Sequence, residues 1–107
     1  MYQLYYAPAT ASMVVHWLAI ELKIEHKLHA IDFAKKEQKS AEYLKVNPAG
    51  VVPTLIIGGK PMSEAAAITM FISDCHAYGS LAPTIESPLR CEYLQWMFYF
   101  AHSMQPA

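Results

Sequence analysis

The sequence carries little charge, and neither sign prevails. Charged residues make up 16% of the 107 residues, with eight Lys or Arg and nine Asp or Glu. A nucleic-acid-binding surface needs a clustered basic patch, and the nearest feature in this chain is the short run of Lys35, Lys36 and Lys39. Such runs are usually solvated loops, so we expect no nucleic-acid partner.

Long apolar runs and cysteine motifs are also missing. No uninterrupted apolar stretch approaches the roughly 20 residues that span a bilayer, and the start MYQLYYAP lacks the pattern of a signal peptide. The two cysteines, Cys75 and Cys91, form no C-x-x-C motif and are too few for a disulfide scaffold. The five histidines show no metal-ligand spacing with them. We therefore expect a cytoplasmic protein with no metal and no membrane partner.

Hydrophobic periodicity and turn residues predict an alternation of strands and helices. The apolar residues of the first helix lie nearly all the way round it, which predicts burial on more than one side. Gly58 and Gly59 predict the tight turn of a hairpin. The predicted elements are a strand at 2–6, a helix from Thr10 or Ser12 to about Leu22, a strand at 26–31, a loop at 32–39, a helix at 40–46, strands at 52–57 and 60–62, and a helix at 63–77.

This order predicts an α/β fold of thioredoxin-like βαβαββα type. Strands joined by helices are expected to pair in parallel, and the hairpin adds an antiparallel edge, giving a four-stranded mixed sheet with helices on both faces. We assign 1–78 to this domain, 79–87 to a linker, and 88–107 to a helix that begins near Pro88. That helix is very apolar and has no partner in the chain, so we expect it to be the first helix of a truncated all-α domain.

The stretch NPAGVVPTL at 47–55 places a proline, Pro53, in what otherwise reads as a buried strand. Proline cannot donate to a sheet ladder and is normally excluded from its interior. One interpretation is a cis proline whose neighbour turns its free amide toward a ligand. The other is a proline on an edge strand with no ligand.

Three motifs in the chain carry a family resemblance: N-P-A-G-V-V-P at 47–53, E-A-A-A-I at 64–68, and Leu-Ala-Pro at 81–83 followed by Arg90 and Trp96. They resemble signatures of the glutathione transferase superfamily. The chain is most similar to the bacterial beta-class and related members, in which a strand ending Tyr-x-x-Pro leads into the first helix. The resemblance implies glutathione as co-substrate, a small electrophilic substrate and a homodimer. It also implies that Pro53 is cis, and that the amide and carbonyl of Val52 pair with the cysteinyl part of glutathione like an added strand.

The resemblance also implies where the two ends of glutathione bind. A helix that starts near Ser63 or Glu64 suits a carboxylate, and Glu64 matches the acidic residue that meets the γ-glutamyl group. Ala65 stands where serine is usual, so its amide remains but one side-chain hydrogen bond is missing. Lys36 or Lys35 lies where the family often has a basic residue near the glycyl carboxylate. Without a ligand, Glu64 would only stabilise the helix dipole.

For catalysis, the resemblance implies a hydroxyl or thiol donor to the glutathione thiolate at the start of the first helix. Ser12 is the first candidate, Thr10 the second and Tyr6 the third, although Ser12 and Thr10 also suit helix caps. Beta-class members carry cysteine where this chain has Ala11 and histidine where it has Gln105.

Two functions remain open at this point. One is an enzyme that transfers the thiol of glutathione to an electrophile, or that catalyses a related thiol-dependent isomerisation or reduction. Retention of Val52, Pro53 and Glu64 favours this function. The other is a non-catalytic module of the same fold that binds protein partners, which the missing cysteine, serine and histidine favour.

Overall fold

The strand-forming residues of the chain build one four-stranded mixed sheet, as the sequence predicts. The computed structural model describes residues 2–7 and 12–104, with side chains as far as Tyr99. Its elements are β1 Tyr2–Tyr6, α1 Ser12–Glu21, β2 His26–Ala30, α2 Ala41–Val46, β3 Thr54–Ile57, β4 Lys60–Ser63, α3 Ala65–His76 and α4 Arg90–Met104, with a 3-10 turn at Glu37–Lys39 inside the predicted loop.

The sheet has the strand order β2-β1-β3-β4. β1 and β2 pair in parallel, and the Gly58–Gly59 turn joins β3 and β4 as the predicted antiparallel hairpin. β3, however, runs antiparallel to β1, so the expectation that strands joined by helices pair in parallel is wrong for β3. β2 ends opposite Tyr6 and β3 begins opposite Tyr5. The connecting residues 31–53 therefore keep the chain at the same end of the sheet, and β3 runs back in the opposite direction to β1.

The two faces of the sheet differ in character. On one face, Leu4 and Leu55 pack against Val15 of α1 and Ile68 and Ile72 of α3, and all five side chains are buried. The opposite face carries α2 and a polar cluster described below. Burial of apolar side chains is the main favourable term in folding, so the α1–α3 face holds the core.

The first helix is buried on one side only. Val15 and Ala19 are buried, but Trp17 is 60% exposed and Ile20 is 55% exposed. The prediction of burial on more than one side is therefore wrong for this chain. α1 packs on the sheet and on α3, and no described residue covers its outer side.

The last helix begins at Arg90, two residues later than predicted, because Ser87 closes a turn before it. The amide of Leu89 donates to Ser87 Oγ at 3.1 Å, and the amide of Arg90 donates to the Ser87 carbonyl at 3.0 Å. The Arg90 guanidinium then ties α4 to α3, since its two nitrogens donate to the carboxylate of Asp74 at 3.0 and 3.3 Å. It also donates to the Pro83 carbonyl at 2.7 Å, which fixes the connecting segment.

None of the helices in the described part of the chain is both long and apolar enough to cross a membrane.

The core assignment predicts that Ile68→Ala lowers the free energy of unfolding by about 2–5 kcal/mol, because Ile68 has no exposed surface and truncation leaves a cavity. Chemical denaturation measures the change. Ile85→Ala is the matched control: Ile85 is 73% exposed, so its loss should change stability by less than about 0.5 kcal/mol. Equal effects of the two substitutions would contradict the assignment.

Candidate functional site

One edge of the sheet gathers the ends of three strands and the start of a helix. The register pairs Thr54 with Tyr5 on one side and with Ser63 on the other. The residues that continue the chain beyond this row are Tyr6 at the end of β1, Pro53 before β3 and Glu64 after β4. They therefore lie together at one edge, where α3 also begins.

A buried hydrogen-bond network fixes the loop that leads into this edge. The Tyr43 hydroxyl donates to the Val51 carbonyl at 2.6 Å and lies 2.8 Å from Thr54 Oγ1. Asn47 Nδ2 lies 3.2 Å from the Val51 carbonyl, 3.0 Å from Thr54 Oγ1 and 3.4 Å from Ser63 Oγ. Burial raises the pKa of the Tyr43 phenol, so it stays a neutral donor. Tyr43, Asn47 and Thr54 are all buried, and together they join α2, the loop and the sheet.

Val52 follows this network with its backbone unpaired. Within the described residues, neither its amide nor its carbonyl makes a hydrogen bond. The Val52–Pro53 peptide bond is cis, and Pro53 is fully buried. β3 starts only at Thr54, two residues later than the predicted strand. Most buried backbone amides and carbonyls in native proteins are paired. The unpaired amide and carbonyl of Val52 are therefore available to another molecule.

The start of α3 next to Val52 has an unusual backbone. Glu64 precedes the helix at φ 75° and ψ 109°, and its side chain makes no capping hydrogen bond. A non-glycine residue in this region is strained, and such strain clusters at functional sites. Glu64 is exposed, whereas Ala65 has no exposed surface. Glu64 is therefore the residue that this helix start presents to solvent.

Ser12 is the first residue of α1, and it is fully buried. Its hydroxyl donates to the Ala7 carbonyl at 3.1 Å and accepts the Ala7 amide at 3.1 Å. These two bonds join the end of β1 to the start of α1. Thr10, the second predicted thiolate donor, lies outside the described residues, as do Ala11 and Gln105.

Tyr6 stands at the end of β1, and one step further along the β1–β3 register it lies opposite Pro53. Its hydroxyl makes no hydrogen bond with any described residue. Its ring stacks on His16 of α1, with ring centroids 5.7 Å apart and an interplanar angle of 28°. Burial, together with repulsion from His26, lowers the pKa of His16, so the imidazole beside Tyr6 is neutral at physiological pH.

The lysine that contacts the loop before β3 is Lys39, whereas the sequence predicted Lys36 or Lys35 as the binding residue. Lys39 Nζ donates to the Ala49 carbonyl at 3.4 Å. Lys35 and Lys36 are exposed, and neither side chain contacts the described site residues. No pattern in the sequence distinguishes Lys39 from the other exposed lysines. Its position beside the loop follows from the 3-10 turn at Glu37–Lys39.

A cavity of about 400 Å³ opens beside Ala7, lined by that residue and by the segment 30–34 that follows β2. Among the described side chains, no group of three or more His, Cys, Asp or Glu is arranged to hold a metal. Cys75 and Cys91 are free and exposed.

The fold and this edge define a thioredoxin-like domain of the kind found in glutathione transferases. The chain belongs to the glutathione S-transferase family, since residues 1–74 match the family model for the glutathione S-transferase N-terminal domain. The relative named glutathione S-transferase GstA, from Escherichia coli O157:H7, is 29% identical over 101 residues, which cover 92% of this chain and 50% of that protein.

Two similar solved structures contain forms of glutathione. A glutathione transferase homologue from Sulfitobacter, solved with bound glutathione, is 28% identical with a TM-score of 0.85, covering 94% of this chain and 49% of that one. The transferase URE2P8 from Phanerochaete chrysosporium, solved with oxidized glutathione, is 26% identical with a TM-score of 0.85, covering 98% and 50%. The chain spans about half the length of the curated relatives it matches.

The buried network predicts that Tyr43→Phe lowers the free energy of unfolding by about 1–3 kcal/mol, because the Val51 carbonyl and the Thr54 hydroxyl each lose a partner. Thermal or chemical unfolding measures the loss. Tyr99→Phe is the matched control, since Tyr99 is 60% exposed. If both variants unfold like the parent chain, the network does not hold the loop.

Proposed function

We propose that the protein binds glutathione at the edge formed by Val52, Pro53 and Glu64, and stabilises its thiolate for attack on a small electrophile. The observation that carries this proposal is the unpaired amide and carbonyl of Val52 beside the start of α3. Membership of the glutathione S-transferase family supports the choice of ligand.

Val52 supplies the main-chain contact. An extended peptide can add to a strand end when one residue offers both an amide donor and a carbonyl acceptor. Proline has no amide hydrogen, so Val52 is the last donor before β3. The cysteinyl part of glutathione, which has its own amide and carbonyl, pairs with these two groups.

Glu64 and the start of α3 receive the γ-glutamyl group. Its ammonium pairs with the exposed Glu64 carboxylate, and its carboxylate lies near the positive end of the α3 dipole. The Ala65 amide belongs to the same helix start. Because Ala65 offers no hydroxyl, binding loses about 1 kcal/mol relative to a site with serine.

Lys36, or Lys35, supplies the positive charge for the glycyl carboxylate. The contact of Lys39 with the Ala49 carbonyl adds a third candidate close to the loop. Since these side chains are exposed, each contributes little and the contribution weakens with salt.

The thiolate donor is one of Tyr6, Thr10 and Ser12. The hydrogen-bond pattern ranks Tyr6 ahead of Ser12, because the Ser12 hydroxyl donates to the Ala7 carbonyl whereas the Tyr6 hydroxyl has no partner among the described residues. A donated hydrogen bond and the positive end of α1 both favour the thiolate over the thiol.

Homodimerisation is a further part of the proposal. Trp17, Trp96 and Phe98 are 60, 64 and 70% exposed. Large exposed apolar side chains favour association.

The glutathione site predicts that Glu64→Gln weakens binding of reduced glutathione by a factor of about five or more, because one charge-assisted hydrogen bond is lost. Isothermal calorimetry on the 107-residue chain measures the affinity. Glu86→Gln is the matched control: it removes an exposed carboxylate from the 79–87 segment, away from this edge, and should leave the affinity unchanged. Absence of binding by the folded parent chain, or equal binding by Glu64→Gln, would overturn the site.

The ranking of donors predicts that Tyr6→Phe raises the pKa of the bound glutathione thiol toward the ordinary thiol value of about 8.5, because the stabilising donor is lost. Ultraviolet absorbance of the thiolate, recorded against pH with saturating glutathione, gives this pKa without a second substrate. Tyr5→Phe, on the opposite face of the sheet, is the control and should have no effect. An increase caused instead by Ser12→Ala or Thr10→Val, with Tyr6→Phe unchanged, would assign the role to that residue.

A further inference from the structure

A second cavity lies on the sheet face that carries α2, and the proposed glutathione contacts do not use it. Its volume is about 520 Å³. Tyr5 and His29 line it, and their rings stack with centroids 4.4 Å apart and an interplanar angle of 15°. The ring of Tyr43 stands 5.4 Å from that of Tyr5 at an angle of 60°. Three aromatic rings thus meet at an open concave surface.

Two carboxylates stand at the wall of this cavity. Glu37 lines it and uses one oxygen to accept the amide of Asp32 at 2.7 Å. Glu42 lines it from the first turn of α2, is exposed, and makes no ion pair within the described residues. The negative charge of Glu42 is therefore available to a ligand.

Among the described residues that line the cavity there is no lysine or arginine that could cancel this charge. Burial and repulsion from Lys27 lower the pKa of His29, so its ring is neutral at physiological pH. It also holds Gln3 Oε1 at 2.9 Å through Nε2. Lys27 lies two residues before His29 on β2, opposite Gln3, and is not among the lining residues.

We propose that this cavity binds a small organic cation, with its ammonium group between the aromatic rings and the carboxylates of Glu37 and Glu42. A cation within about 6 Å of an aromatic centroid is attracted by the ring's negative face, and a neighbouring carboxylate adds a direct charge interaction. The aliphatic walls formed by Ile31 and Val46 accommodate the alkyl part. The same carboxylates disfavour anions, including glutathione.

The test is a nuclear magnetic resonance titration of the 107-residue chain with choline and with 3,3-dimethyl-1-butanol, its uncharged isostere. We expect choline to shift the resonances of Tyr5, His29 and Tyr43, and to bind more tightly than the isostere. Glu42→Gln should weaken choline binding roughly threefold, while Glu86→Gln should leave it unchanged. Tyr5→Leu keeps an apolar side chain but removes the ring, and should abolish the preference for choline.

Three results would overturn the proposal. Equal binding of choline and its isostere would make the cavity a non-selective apolar one. Unchanged choline binding by both Glu42→Gln and Tyr5→Leu would show that neither the charge nor the ring recognises the cation. Shifts confined to residues outside the cavity would place the cation elsewhere.

Discussion

Two buried side chains, Tyr43 and Asn47, fix the backbone on both sides of Val52, whose amide and carbonyl make no hydrogen bond within the described residues. They bind the Val51 carbonyl and the Thr54 hydroxyl from the side of α2. Satisfied polar networks inside a protein rigidify the backbone around them, because an unpaired partner would be costly in a low dielectric. With Val51 and Thr54 both held, the orientation of Val52 between them is set. The proposed ligand contact thus depends on a network that never touches the ligand.

The rest of the edge is organised by where strands end and helices begin. The register of β1, β3 and β4 brings three chain ends into one row, and α3 starts directly after Glu64. The strained φ of 75° at Glu64 keeps this carboxylate out of the helix that follows it. Such a residue costs about 1–3 kcal/mol, and the well-packed Ala65 and Ile68 behind it hold it in place. Packing on the core face therefore supports polar groups at the edge.

Local signals were sufficient to predict most elements of the fold. Ser40 caps α2 by accepting the Tyr43 amide at 3.2 Å, and Gly58 and Gly59 both have the positive φ that the hairpin requires. Each feature depends only on residues that are close together in the sequence. The direction of β3 was not predictable in the same way, because it depends on the path of residues 31–53, which begin and end at the same end of the sheet, rather than on any residue of β3.

Some residues of the candidate site could be predicted from local sequence, and others could not. Pro53 and Glu64 stand out in the sequence, through a proline within an apolar run and an acid at a helix start. The structural roles of Tyr43 and Asn47 do not, although Asn47 belongs to the motif at 47–53, because a tyrosine in a short helix and an asparagine before a proline also suit ordinary surface positions. Their function arises only when α2 packs on the sheet. Likewise, the exposure of Trp17 depends on what covers α1, which no local pattern encodes.

The most direct test of the central claim is the behaviour of one amide. On adding reduced glutathione to the isotopically labelled chain, the Val52 amide resonance should shift and its hydrogen exchange should slow, because the ligand carbonyl becomes its acceptor. The amide of Lys60, at the other end of the β3–β4 hairpin, should not change. Binding that leaves the Val52 amide unshifted and exchanging at its original rate would contradict the claim that Val52 receives glutathione.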